Sequence, residues 1–526
     1  MTEKVKKKVL WVDDEIELLS SHILFLQKHG YDVTAVTNGP EALSRMEEES
    51  FDAILLDEIM VGMNGLDTLK EIRSITTTTP VIMITKSDEE ELMDEGFGLA
   101  LDDYLIKPVN PKQVVAALKR HLEGEKLRRN HLSLSYGRFY NSIIYRMQGN
   151  LDWREWAELY NEVCSWDINL SASGTREVSD LVSLQNELRM ECNRVFGEYV
   201  SSNYRDWIAS RQGRPTLSMD LLENQIMPLF ERFSSVFLIV VDCMRLDQWL
   251  VIEPLVERWF KITHHHFYSI LPTSTTYSRN SIFVGITPLQ IAEKYPQHWN
   301  ERSAELDSLN RFEGELLASF FKKISKNTLS TRYIKVSNVV DDHNFRQRIS
   351  SLTGPGLTAL VFNFIDNLTH ERSRHEILEE IAPSAGAFRE LTSNWFKRSS
   401  IMDLLHSLKN QKDCAVVITS DHGSILTERA IPVFGDKTTT KSLRFWYGRN
   451  LRSEADRTLI INHPQEYGLP SEFLGKGYII AKEDFNLIYS FNFNEQKRRF
   501  KGGFQHGGIS LQEMILPCVT CEPKGK

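Results

Sequence analysis

Ala415-Val416-Val417-Ile418-Thr419-Ser420-Asp421-His422-Gly423 is the stretch that decides the fold of the larger part of this chain. Its first six residues form a short, largely apolar, β-branched run, the composition of a strand buried on both faces of a parallel sheet. The run stops on a carboxylate beside an imidazole. The pattern occurs twice upstream: Val236-Phe237-Leu238-Ile239-Val240-Val241 stops on Asp242, and Leu360-Val361-Phe362-Asn363-Phe364-Ile365 stops on Asp366, with His370 four residues on. Open α/β sheets gather ligands at the carboxyl ends of their strands, so the three acids are predicted to meet at one rim. His506, in Gln505-His506-Gly507-Gly508, completes a set of three Asp and three His, donors enough for two divalent metals.

The chain has 526 residues, which at ordinary domain sizes calls for three or four units. With 41% hydrophobic and 25% charged residues it has the composition of a soluble globular protein. A net charge of -9 argues against a broad electrostatic grip on nucleic acid. The basic start Lys4, Lys6, Lys7, Lys8 runs into a strand and lacks the apolar core of a signal peptide. No apolar run approaches the ~20 residues of a membrane span. The six cysteines are scattered, as in a reducing compartment, so the expected location is cytoplasmic. Cys518 and Cys521 form a C-x-x-C with no second pair to complete a metal site.

The opening alternates strand and helix. Val9-Leu10-Trp11-Val12 ends on Asp13 and Asp14, and Ala53-Ile54-Leu55-Leu56 ends on Asp57. Val81-Ile82-Met83-Ile84 ends on Thr85, and Asp103-Tyr104-Leu105-Ile106 ends on Lys107-Pro108. With Tyr31 to Val36, this predicts a five-stranded doubly wound sheet. Asp13, Asp14 and Asp57 crowd like charges, which calls for a hard oxygen-binding cation such as Mg²⁺. Lys107 can pair with the central carboxylate, and Thr85 can donate a hydroxyl to a phosphoryl oxygen placed on it. These residues resemble a CheY-like response-regulator receiver domain across residues 6–123. The resemblance implies that Asp57 is the phosphoacceptor and Asp13 and Asp14 the acidic pair. It makes Thr85 and Tyr104 the switch residues, Lys107 the lysine before proline, and a sensor histidine kinase the upstream partner. The sequence departs from the family pattern at Val61, where proline is usual, and at Lys86, where a small residue is common.

Over 124–229 the strand signal stops. Tyr140 to Met147, Trp153 to Trp166, Val178 to Val200 and Met219 to Glu231 carry apolar residues at helical spacing, with turns at Ser171-Ala172-Ser173-Gly174 and Gln212-Gly213-Arg214-Pro215. A small helical bundle is predicted, serving as a spacer and packing surface or as a dimerisation or signal-transmitting element. No stretch has the exposed Arg, Asn and Gln of a DNA-recognition helix.

From residue 230 to 526 strand–helix alternation returns as a large α/β domain. Asp366 and His370 reach one ion if a helical turn follows the strand, and His506 joins them; Asp242, Asp421 and His422 make a second set. A nucleophile belongs between them, in Leu271-Pro272-Thr273-Ser274-Thr275-Thr276-Tyr277-Ser278-Arg279-Asn280-Ser281, where a hydroxyl would open a helix that Gly285 closes. This constellation resembles the PglZ branch of the alkaline phosphatase superfamily. The resemblance implies two Zn²⁺, one held by Asp366, His370 and His506, the other by Asp242, Asp421, His422 and the nucleophile. It places the nucleophile on Thr275, with Thr273 and Thr276 as rivals. Arg245 and Asp247 also fit the branch, whereas Cys243 stands where glycine is common. Arg279 is open to two uses, a non-bridging phosphate oxygen or an ion pair. His264-His265-His266 has no carboxylate at matching spacing and reads as structural or exposed; Thr438-Thr439-Thr440-Lys441 and Lys497-Arg498-Arg499 read as solvated loops, the latter close enough to His506 in sequence to steer an anionic substrate.

Receiver, helices and PglZ domain in this order resemble the PorX-type response regulators. The resemblance implies phosphorylation at Asp57, a phosphorylation-dependent homodimer, a link to type IX secretion, and phosphodiesterase action on a nucleotide-type substrate. Two other outputs remain open: a zinc-stabilised binding platform for a sigma factor or secretion-system protein, and a DNA-binding transcription regulator.

Overall fold

Strands whose alternate residues are all apolar must be covered on both faces, and the first unit of the structure shows how this chain does it. In Lys7–Val12, Val9 and Trp11 enter one core with Leu55, Ile82, Ile84, Val114 and Leu118. Leu10 and Val12 enter the opposite core with Ile54, Leu56, Val81 and Met83. The parallel order is Tyr31–Val36, Lys7–Val12, Ala53–Asp57, Val81–Thr85, Asp103–Ile106, a 2-1-3-4-5 arrangement of the five-stranded doubly wound sheet the sequence predicts.

This computed structural model describes residues 6–76, 78–86, 101–172, 179–299, 310–324, 329–352, 354–372, 376–436, 440–471, 473–491 and 493–525. Ser173-Gly174 and Thr438-Thr439 lie outside them. Two compact units divide the chain, Met1–Arg138 and Phe139–Lys526.

The second unit is built on a seven-stranded sheet ordered Thr216–Leu217, Phe260–Tyr268, Ile515–Pro523, Cys414–Thr419, Ser235–Val241, Gly356–Phe362, Thr331–Val336. The last four strands are parallel, and Ser235–Val241, Gly356–Phe362 and Cys414–Thr419 are buried at every residue. The sheet is mixed, however: Ile515–Pro523 runs antiparallel to both its neighbours. A further difference concerns Asp366. The strand stops at Phe362, and Asp366 lies in the first turn of the helix Phe364–Arg372. The apolar pair Phe364-Ile365 is helix packing, with Phe364 stacked on Trp395 at 4.5 Å and Ile365 in the core.

The helices Trp153–Ala172 and Ser179–Ala209 belong to this same unit. Trp156, Phe196, Tyr199, Trp207 and Tyr268 pack edge to face or tilted, and the Tyr268 hydroxyl donates to the Trp153 carbonyl at 2.5 Å. Met219 to Glu231 is a succession of 3₁₀ and π turns; Pro228, lacking an N–H, cannot continue an α-helix. Lys497, Arg498 and Arg499 sit on the exposed helix Phe493–Phe500 and not in a loop. The short strands between 425 and 505, which form two two-stranded sheets and one four-stranded sheet, have no counterpart in the sequence reading.

Candidate metal centre and phosphoacceptor site

Three parallel strands deliver the rim. After Ser235–Val241 the Asp242 N–H donates to the Phe362 carbonyl at 2.9 Å, which holds the two strand ends together. Cys243 follows at φ 66°, a left-handed conformation costly for a side chain with a Cβ and the reason glycine suits this position. Its N–H and that of His422 both donate to Asp421 Oδ1, at 3.3 and 3.0 Å, so Asp421 is aimed by backbone donors. Gly423 is required by close approach: a Cβ there would stand 1.9 Å from the Gln512 carbonyl oxygen. Gly507, at φ 117°, gives the chain the turn that brings His506 inward.

Two donor sets result. Asp366 Oδ1 lies 3.5 Å from His370 Nε2 and 3.7 Å from His506 Nε2, and the two imidazole nitrogens are 3.3 Å apart. In the second set, His422 Nε2 lies 3.6 Å from Asp242 Oδ1 and 3.8 Å from Asp421 Oδ2. The rings of His422 and His506 stack at 4.2 Å, so the sets are neighbours. Four donors placed ~2.0–2.2 Å from one tetrahedral ion are ~3.3–3.6 Å from each other, close to these separations. Asp242 Oδ1, Asp366 Oδ1 and Asp421 Oδ2 are buried and receive no hydrogen bond, although such oxygens ordinarily do. These are the very oxygens that face the imidazoles. The residues therefore fit a pair of divalent ions.

The electrostatics agree. Burial and then repulsion from Asp242 push Asp366 well above the usual carboxylate range and Asp421 to about 6. Burial opposes charge on Asp242 too, but Arg279 and His422 together outweigh it and hold its carboxyl low. Burial, with His422 and His370 beside it, pushes His506 well down, leaving a neutral imidazole suited to coordination.

The helix Thr275–Val284 starts at this rim and ends on Gly285 at φ 72°. Of the three candidate hydroxyls, that of Thr275 lies 2.9 Å from His422 Nε2. Thr273 is wholly buried and its hydroxyl bonds the backbone of Gly507 and Gly508, while Thr276 is 4% exposed. Arg279 is buried against Asp242 and Glu313. Arg245 forms a buried two-pronged pair with Asp247, which Arg389 also holds at 3.0 Å. Sequence reasoning missed Glu313, Tyr333 and the fully buried Arg444–Glu513 pair, whose Glu513 receives the Gly508 N–H at 2.8 Å. His264 pairs with Glu253, a carboxylate eleven residues upstream that spacing did not point to, His265 bonds Thr520, and His266 meets Trp153 edge-on; His264 and His266 are exposed, so the triple histidine lies on a partly exposed strand face. Cys518 and Cys521 are buried free thiols, and burial pushes Cys518 up to about 12.

In the first unit Asp13, Asp14 and Asp57 bring carboxylate oxygens within 4.8 Å of one another. Lys107 Nζ lies 2.9 Å from Asp57 and 3.1 Å from Asp13. Burial raises the Asp57 carboxyl, against the pull of Lys107. The Thr85 hydroxyl donates to Glu58, and Tyr104 is half-buried beside this strand end.

Comparison with known proteins gives three matches along the chain. A family model described as the BREX system PglZ alkaline phosphatase-like domain matches residues 221–521. The response regulator receiver domain matches residues 9–119, and the PorX response regulator linker domain matches residues 126–208. The transcriptional regulatory protein ResD of Bacillus subtilis is 35% identical over 119 residues, 23% of this chain and 49% of that protein. The CpxR homolog of Haemophilus influenzae is 39% identical over 126 residues, 24% of this chain and 55% of its own length. The chain thus spans about half the length of these curated relatives. The crystallised chemotaxis protein CheY4 of Vibrio cholerae is 34% identical, covering 22% of this chain and 99% of its own, with a TM-score of 0.22. Among the described residues no helix is long and apolar enough to cross a membrane.

Proposed function

We propose, for a chain that belongs to the PglZ alkaline phosphatase-like family and carries a response regulator receiver and a PorX linker ahead of that domain, a two-component response regulator whose output is zinc-dependent hydrolysis of nucleotide-type phosphodiesters. The observation that supports the output is the trio of buried carboxylate oxygens without donors, set against imidazole nitrogens next to Thr275. Asp366, His370 and His506 would hold one zinc, and Asp242, Asp421, His422 and Thr275 the other. When bound, the metals supply Lewis-acid polarisation of the phosphoryl group and a lowered pKa for a hydroxyl or water.

The protein's own groups do the rest. Thr275 opens its helix, so the positive end of that helix's dipole favours phosphate oxygens at the rim. Thr275 Oγ loses its proton and attacks phosphorus in line. The ester P–O bond breaks, its electron pair leaves on the alcohol oxygen, which takes up a proton, and Thr275 is left esterified to a phosphate that still carries the substrate's other ester group. Water then attacks phosphorus, the P–Oγ bond breaks, and Thr275 is reprotonated.

The receiver implies a phosphodonor such as a histidine kinase. The proposal includes phosphorylation at Asp57 with Mg²⁺ held by Asp13, Asp14 and Asp57, a division into 6–123, 124–229 and 230–526, and an output in type IX secretion, supported by the PorX linker match. The test is turnover of a generic phosphodiester and a phosphomonoester by zinc-loaded wild type and Thr275→Val, with metal content measured on both. Diester turnover lost in the variant, with protein-bound zinc retained, is the expected result. Two bound zincs without turnover of either ester would overturn the enzymatic reading in favour of a binding platform.

A further inference from the structure

Arg279 offers the richest unexplained contacts beside the centre. It stands four residues after Thr275, one turn on, so both side chains leave the same face of the helix Thr275–Val284. Its side chain is 1% exposed. Nη1 donates to Asp242 Oδ2 and lies 3.6 Å from Asp421 Oδ2, while Nε donates to Glu313 Oε1 at 2.6 Å. Glu313 is wholly buried; the Tyr333 hydroxyl donates to its other oxygen, and Lys335 Nζ is 3.9 Å from that oxygen.

This network divides the two oxygens of Asp242. Oδ2 is occupied by the guanidinium, and Oδ1 is left without a donor, 3.6 Å from His422 Nε2. A planar guanidinium anchored at two carboxylates has little freedom to turn, so it fixes the rotation of Asp242 as well as its charge. Glu313 matters because it is the second carboxylate that hydrogen-bonds the buried guanidinium and holds its Nε edge, Asp421 standing off at 3.6 Å. An arginine committed in this way is badly placed to reach an incoming ester.

We propose that Arg279, held by Glu313, is a positioning residue for the ion bound by Asp242, Asp421 and His422, and does not bind the phosphoryl group. This rests on the metal-centre reading given above. Groups that orient metal ligands typically contribute about 10–100-fold to metal affinity.

The experiment measures zinc affinity on the full chain by chelator competition, and anion affinity with inorganic phosphate, for wild type, Arg279→Met, Arg279→Lys and Glu313→Gln. Thermal melting monitors the fold. The expected result is two tight zincs in wild type and one in Arg279→Met, with the other weakened about 10–100-fold. Glu313→Gln weakens the same ion less, Arg279→Lys restores part of the loss, and phosphate affinity at saturating zinc stays unchanged. Wild-type zinc affinities in Glu313→Gln and Arg279→Met, or a loss of phosphate affinity with zinc intact, would overturn this inference alone. Should Arg279→Met fail to fold, Glu313→Gln decides. A wild type that holds no zinc pair would overturn the metal-centre reading and this inference with it.

Discussion

The Thr273 hydroxyl donates to the Gly508 carbonyl at 2.7 Å, tying the loop before Thr275 to the loop that carries His506. It also receives the Gly507 N–H at 3.1 Å, so its hydrogen-bonding capacity is spent on backbone. Thr273→Val should therefore cost stability, roughly 1–3 kcal/mol for the buried groups left unpaired. Thr275→Val should leave the melting curve nearly unchanged and lower diester turnover by roughly three orders of magnitude or more. Denaturant titration and zinc-loaded turnover on both variants separate the roles; the reverse pattern would move the nucleophile to Thr273.

Gly423 allows His422 and Gln512 to pass. A methyl group there would sit 1.9 Å from a carbonyl oxygen, not from the end of a flexible side chain, so the backbone itself must move. Gly423→Ala is expected to cost roughly 1–3 kcal/mol or more as overpacking and to displace His422. Zinc titration should show weakened binding at the Asp242, Asp421 and His422 set. Normal binding of both ions with an unchanged melt would contradict the close-approach argument.

Much of this was legible in the sequence because it depends on local pattern. β-branched runs stopping on Asp13, Asp57, Asp242 and Asp421 announce strand ends, and the four-residue spacing of Asp366 and His370 announces a helical turn. Asp366 was misplaced by one element, since Phe364 and Ile365 extend an apolar run whether strand or helix follows. Glu313 and Tyr333 were not legible. A lone glutamate opening the helix Glu313–Ile324 looks like an ordinary first-turn acid, and only tertiary packing brings it to Arg279. The short strands between 425 and 505 carry too few residues each for a period to show.

Asp247 predicts an acid-sensitive contribution to stability. Burial opposes its charge, but Arg245 and Arg389 outweigh burial and hold the carboxyl at about 2, below the ordinary 3.8. A folded value below the unfolded one gives stability present above about pH 4 and lost as pH falls toward 2, roughly 2 kcal/mol in all. Asp247→Asn should be destabilised by roughly 3–5 kcal/mol at neutral pH, since two buried guanidinium groups lose their anion. It should also lose less further stability between pH 4 and 2 than wild type. Parallel acid-melting curves would refute the assignment.

Phosphorylation at Asp57 makes a prediction independent of zinc. Lys107 Nζ lies 2.9 Å from Asp57, and Asp13, Asp14 and Asp57 bring carboxylate oxygens together, the set that on the proposed reading would hold Mg²⁺ and take a phosphoryl group. With an acyl phosphate and Mg²⁺, wild type is expected to gain one phosphoryl group per chain and to change its sedimentation coefficient, and Asp57→Ala to do neither. Phosphorylation of the variant would place the acceptor elsewhere.

The helix Ser179–Ala209 touches two loops of the candidate centre, the one after His506 and the one before Thr275. Asn193 donates to Gln512 Oε1 at 3.0 Å and accepts the Leu511 N–H at 2.8 Å, just beyond His506. Tyr204 accepts the Leu271 N–H at 2.8 Å, four residues before Thr275. Each contact satisfies the backbone N–H of a fully buried residue, Leu511 or Leu271, so Asn193→Leu and Tyr204→Phe should each cost roughly 1–3 kcal/mol. Because the two contacts anchor different loops, the effects on stability should add to within about 0.5 kcal/mol. Turnover should behave otherwise: either loop out of place misaligns Thr275 with the metal donors, so the second substitution should lower kcat much less than it does alone. Multiplicative kcat losses would mean that the helix supports the fold without setting the geometry of the centre.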